Sequence, residues 1–123
     1  MTLVVYGIPT CGTCKKALAW LDHQGVIYDF INTKLYPPSR DTLQRWVQRL
    51  GVKPMLNTSG QVYRSLPDTK QTWSEAQWVE ALAADAMLLK RPLFLRDGEA
   101  VMVGFRPQQP DLRQRLGLEG DAG

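Results

Sequence analysis

Cysteine and histidine are scarce in this chain of 123 residues: Cys11, Cys14 and His23 are all it has of them. A closed zinc site usually takes four such ligands, so no metal site is expected. A structural disulfide between Cys11 and Cys14 would close almost no loop and add little stability. Also lacking is any run of about 18 apolar residues, the length needed for a membrane-spanning helix. Leu3-Val4-Val5-Tyr6 is apolar, but it has no basic residue before it and runs directly into the loop at Pro9, which does not read as a secretion signal. A cytoplasmic, reducing location is expected. There is no internal repeat, no low-complexity tract and no strong excess of one charge. Lys plus Arg is 15 and Asp plus Glu is 12, a net charge of +3 spread along the chain. A duplex-binding protein concentrates its basic residues on one face, so no direct nucleic-acid partner is expected.

With 44% hydrophobic and 22% charged residues, the composition is that of one ordinary globular domain. Residues 2–6 read as a buried strand. Gly7, Pro9 and Gly12 punctuate the following loop. Cys14, Ala17, Leu18 and Leu21 then fall at i, i+3, i+4 and i+7, the apolar stripe of a helix that Gly25 stops. Residues 26–31 read as a second strand, and a strand–helix–strand crossover favours a parallel pair. After Pro37-Pro38, Ser39 caps a helix carrying Leu43, Trp46, Val47 and Leu50. Residues 53–72 lack a period and read as turns with a short helix. Ser74 and Gln77 match a capping box for a helix bearing Val79, Leu82, Ala83 and Ala86. Leu93-Phe94-Leu95 and Val101-Met102-Val103 flank Asp97-Gly98, a hairpin signal. A last helix is expected within residues 107–116, followed by a frayed tail at 119–123. The order βαβ, helices, ββα fits one α/β domain over residues 1–118, with a four-stranded mixed sheet and a helical insertion at about 37–90.

Cys11-Gly12-Thr13-Cys14 sits where the first strand hands over to the first helix. Free N–H groups and the helix dipole favour a thiolate at Cys11, and Cys14 lies one turn further in, within reach of a mixed disulfide. The alternative is a pair of inert, packed cysteines, since Cys14 also lies on the apolar stripe. Arg91-Pro92 precedes the third strand. Arg91 either brings a guanidinium to an anion or thiolate or is a surface charge at a strand end. Arg106 and Arg64, each taken alone, read as solvated surface charges and only more weakly as anion-binding candidates, and Asn57-Thr58-Ser59-Gly60 is a weak candidate for an anion-holding turn. His23 suits a helix C-terminus, and the four tryptophans suit a core or an interface.

Together these residues resemble the arsenate reductase (ArsC) family of glutaredoxin-like proteins, in its subgroup of Spx, MgsR, YffB and YusI. The resemblance rests on Tyr6 to Cys14, Lys15-Lys16-Ala17, residues 56–60 with Tyr63-Arg64, residues 88–92 and Val103-Gly104-Phe105. It implies a thioredoxin-like (glutaredoxin-type) fold with a cis Pro92. It also implies a nucleophile at Cys11 and anion-assisting arginines at Arg91 and Arg106, the family's third arginine falling at Asn57. Arg64, seven residues beyond Asn57, could substitute for that third arginine, and Pro92 would face the cysteine turn as part of the substrate site. The family's histidine before the cysteine falls at Gly7, and its reductases usually lack the second cysteine, here Cys14. No bound cofactor is implied, and glutathione is the implied reductant. The implied partners are glutaredoxin or thioredoxin, a small anion or a protein disulfide, or, for a Spx-like regulator, the RNA polymerase α subunit.

Overall fold

The computed structural model describes residues 2–118, so the predicted tail at 119–123 lies outside the described residues. Strand β1 (Leu3–Gly7) runs through the middle of a four-stranded sheet of order β2-β1-β3-β4. It pairs in parallel with β2 (Asp29–Asn32) and antiparallel with β3 (Leu93–Arg96), which pairs antiparallel with β4 (Glu99–Val103). The sheet is mixed and thioredoxin-like, as expected.

Alternation along β1 gives the sheet two apolar faces, because successive side chains point to opposite sides. Leu3 and Val5 meet Ala17 and Leu21 of α1 (Gly12–His23), Phe94, Met102, and Leu112 and Leu116 at the end of the chain. Val4 and Tyr6 face the other way. They pack on a cluster from α2 (Arg40–Leu50), α4 (Glu75–Ala84) and the loops between, including Leu43, Trp46, Val47, Trp78 and Leu82. The segment read as an insertion thus covers one face of the sheet. Tyr6 meets Trp46 edge-on with ring centroids 4.8 Å apart. Trp78 stacks with Tyr63 and takes Trp73 against its edge.

The caps follow the sequence. Ser39 Oγ accepts from Thr42 N–H at 3.2 Å, and the Ser74–Gln77 box is complete, at 2.7 and 3.2 Å. Ser74→Ala removes one of these bonds and is expected to lower stability by about 1 kcal/mol. Urea unfolding measures it. The β3–β4 turn has positive φ at both Asp97 (52°) and Gly98 (84°), the type I′ geometry that matches strand twist.

Three boundaries differ from the sequence reading. The second strand begins only at Asp29, because Val26 N–H is committed to the Leu21 carbonyl at 3.1 Å in the turn closing α1. Helix α4 ends at Ala84. Asp85 leaves the helical region and its carboxylate accepts from Met87 N–H at 2.9 Å, so Ala86 starts a separate 3-10 turn and Ala83 is exposed. The last helix, α5, covers only Leu112–Arg115, after Pro107 and Pro110, although Leu112 and Leu116 are both buried. The aperiodic stretch holds a short helix, α3 (Gln61–Ser65), between two 3-10 turns. No helix among the described residues is long and apolar enough to cross a membrane.

Candidate functional site

The β1–α1 junction carries the cysteine pair. β1 ends at Gly7, and the chain turns with Cys11 N–H bonded to the Ile8 carbonyl at 3.1 Å. Cys11 is the N-cap residue of α1, in extended conformation, and its carbonyl accepts from Lys15 N–H at 3.0 Å. This placement leaves the first-turn N–H groups of α1 facing the Cys11 side chain. Cys14 lies one turn inside on the apolar face and is 0% exposed, whereas Cys11 is half-buried. Both are free thiols.

Their environments push the two thiols apart. Partial burial works to raise the Cys11 pKa. It is outweighed by the backbone N–H of Cys14, the Cys14 thiol, the N–H of Thr13 and the Arg91 guanidinium, so the group falls below its ordinary 9.0. No conventional capping bond forms at Cys11, but these donors lie close enough to favour the charged sulfur. Cys14 is pushed up to about 11, chiefly by burial, with the Cys11 sulfur adding to the rise.

Arg91 is half-buried, and its side chain is anchored. One terminal nitrogen donates to the Leu89 carbonyl at 2.9 Å and to the Met87 carbonyl at 3.4 Å. Its Nε is buried and has no hydrogen-bond partner among the described residues. The Arg91–Pro92 peptide bond is cis, as the resemblance implied. Pro92 is buried, and its carbonyl accepts from Gly104 N–H at 2.7 Å, fixing the start of β3 against the end of β4. A cleft of about 540 Å³ opens here, lined among others by Thr13, Lys90, Arg91, Gly104 and Arg106. Arg106 is exposed at its rim.

The remaining candidates divide. Asn57 Nδ2 reaches the Met87 carbonyl at 3.5 Å, the same acceptor that Arg91 uses, so Asn57 and Arg91 are neighbours. Arg64 instead folds onto the Ser59 carbonyl within its own turn, and its described hydrogen bonds do not reach the cysteines. His23 is exposed at the far end of α1. Among the described residues no group of three His, Cys, Asp or Glu could hold a metal ion.

Two features escaped the sequence reading. The carbonyls of Met87 and Leu89 that hold Arg91 are backbone groups and leave no mark in the sequence. Gly7, read as punctuation, belongs to β1 and lies directly under the Cys14 sulfur: a Cβ at this position would stand 2.6 Å from Sγ.

A family model described as the ArsC family matches residues 6–111, the span that holds both cysteines, Arg91 and Arg106. The chain belongs to the ArsC family. Among ArsC relatives, it is 42% identical to the uncharacterised protein YusI of Bacillus subtilis over 113 residues, covering 89% of this chain and 95% of YusI. It is 26% identical to the global transcriptional regulator Spx of Streptococcus mutans, over 82% of this chain and 74% of Spx. The solved structure of a YffB protein superposes with a TM-score of 0.80 at 35% identity, covering 94% of this chain and 98% of that one. The Spx-like relatives are thus more distant than YusI and YffB.

Proposed function

We propose that this ArsC-family chain is a thiol–disulfide redox protein in which Cys11 is the nucleophile and Cys14 the resolving thiol. The observation that carries this reading is the geometry of the pair. A half-buried thiol caps α1, a fully buried one lies a turn inside and interacts with it, and Arg91 adds positive charge to both. The Cys11 thiolate attacks one sulfur of a substrate disulfide, forming a mixed disulfide and releasing the first substrate thiol, which takes a proton from solvent. Cys14 then loses its proton and attacks Cys11 Sγ, releasing the second substrate thiol. The substrate is reduced to two thiols and the pair is oxidised to a disulfide. Two molecules of a low-molecular-weight thiol such as glutathione, or a protein dithiol of the glutaredoxin or thioredoxin kind, return it to the reduced state. Pro92 and the cleft would receive the substrate, with Arg106 lining the cleft and Asn57 beside Arg91 at the Met87 carbonyl. The site belongs to one domain over residues 1–118, with a cytoplasmic location suited to reduced cysteines.

The two-step cycle has a direct test. With Cys14→Ser, a mixed disulfide between Cys11 and glutathione should accumulate, and the wild type should show mainly the intramolecular disulfide. Mass spectrometry after acid quenching distinguishes them. A wild type that accumulates the mixed disulfide as strongly as Cys14→Ser would remove the resolving role.

The cleft supports a second reading. Lys90, Arg91 and Arg106 line one opening, a setting for an anionic substrate such as the arsenate that names the family's reductases. The likeness to Spx supports a third, a redox-sensing regulator that binds the RNA polymerase α subunit. Binding to purified α subunit, compared between reduced and oxidised protein, tests it.

A further inference from the structure

The contact between Gly7 and Cys14 assigns a task to a residue without a side chain. Gly7 is the last residue of β1, pairs with Asn32 of β2 and is buried. Its φ is not among the positive values, which occur at Gly25, Gly51, Gly98, Gly104 and Gly117. The backbone at Gly7 would therefore accept any L-residue, and a glycine within a strand weakens it by giving up packing and chain stiffness. The requirement comes from one atom. A Cβ on Gly7 would lie 2.6 Å from Cys14 Sγ, nearer than packed side chains approach, whereas its next neighbours, Phe30 Cε1 at 3.4 Å and Cys14 Cβ at 3.5 Å, are at ordinary contact distance.

We propose that Gly7 is the positioning residue for the resolving thiol: by leaving the floor of the site empty, it lets Cys14 Sγ stand beside Cys11. This rests on the reading of the pair as a thiol–disulfide couple. With a methyl group in the niche, Cys14 must turn to another rotamer or the first turn of α1 must lift off β1. The helix backbone restricts the first escape, and close packing around a fully buried side chain resists both. Either shift disturbs the narrow Cβ–Sγ–Sγ–Cβ geometry a disulfide needs. Position 7 thus decides whether a second thiol can serve Cys11, and so whether the site closes its own disulfide or waits for an external thiol.

The experiment is a cycle of four proteins: wild type, Gly7→Ala, Cys14→Ala and the double variant. Each is melted under reducing conditions. The two that keep both cysteines are also equilibrated in glutathione buffers, where dithiol plus oxidised glutathione gives protein disulfide plus two reduced glutathiones. Gly7→Ala should lower Tm when Cys14 is present and leave it unchanged or raise it when position 14 is alanine, because the only close contact is then gone. It should also shift the disulfide equilibrium toward the dithiol by about tenfold or more, equal to about 30 mV in potential. If Gly7→Ala does not fold while the double variant does, the contact is confirmed in its strongest form. An equal drop in Tm in both backgrounds, failure of both variants to fold, or an unchanged disulfide equilibrium would overturn the proposal. A wild type that closes no disulfide in any buffer would instead overturn the redox reading, with the melting cycle still deciding the Gly7 contact.

Discussion

Cys11→Ser is expected to reduce exchange with a model disulfide to the uncatalysed background, while Cys14→Ser keeps the first attack at a rate near wild type. The asymmetry follows from the two environments. Only a thiolate attacks, and the donors around Cys11 bring its pKa below 9.0, whereas burial pushes Cys14 up to about 11. At neutral pH Cys14 is then almost wholly protonated and enclosed, so it cannot begin the reaction in place of Cys11. The wild-type rate should rise with pH with its midpoint below 9, and that midpoint should move upward in Arg91→Ala, which removes one charge favouring the thiolate. Stability of the reduced protein follows the same signs. The lowered pKa of Cys11 contributes stability above the unfolded value that is lost as pH falls through the folded one. The raised pKa of Cys14 contributes stability that is complete below pH 9 and is lost as pH rises from 9 toward 11. Thiolate absorbance and urea unfolding across this range measure both. A first attack retained by Cys11→Ser and lost in Cys14→Ser would reverse the two roles.

How far the sequence revealed the site depended on whether the deciding contacts were local. The Cys11–Cys14 spacing, the apolar stripe beginning at Cys14 and the strand before them are periodic features, so their arrangement could be read directly. The capping box at Ser74 and the Asp97-Gly98 turn are equally local. The stretch from Lys53 to Thr72 read correctly as turns with a short helix, but where it docks was not legible, because distant partners hold it. Asn57 N–H bonds to the Leu88 carbonyl at 2.8 Å and Lys90 N–H to the Met55 carbonyl at 2.8 Å, bracketing the Leu56–Leu89 bridge. The same pairing brings Asn57 beside Arg91 and fixes the carbonyls that hold the guanidinium. The contact made by Arg64 was likewise not legible. Its sequence position is close to Asn57, but its guanidinium is engaged by Ser59.

Arsenate turnover is expected to be slower than model-disulfide turnover by about two to four orders of magnitude. A multiply charged oxyanion entering a partly desolvated site needs several charged donors, and each one absent costs about 1.5–3 kcal/mol, or roughly tenfold to a hundredfold in rate. Of the three arginine positions implied by the family resemblance, one holds neutral Asn57. Asn57 Nδ2 already faces the Met87 carbonyl at 3.5 Å. Arg106 is exposed at the cleft rim, where water competes for its charge. Arg64 cannot replace the missing donor without leaving Ser59. Lys90 lines the same cleft but is exposed like Arg106, which leaves Arg91, with part of its guanidinium engaged by the Leu89 and Met87 carbonyls. The second thiol would divert the glutathione-dependent cycle: attack of Cys14 on Cys11 Sγ of an arsenate adduct would form the Cys11–Cys14 disulfide and release arsenite, leaving the disulfide to be reduced before the next turnover. Parallel assays with arsenate and a model disulfide, each supplied with glutathione and glutaredoxin, decide the matter. Asn57→Arg should raise arsenate turnover while leaving disulfide exchange within about threefold of wild type, a change of about 0.7 kcal/mol. Arsenate reduction by the wild type at a rate comparable to disulfide exchange, and lost in both Cys11→Ser and Arg91→Ala, would make the anion the substrate and the second cysteine an accessory.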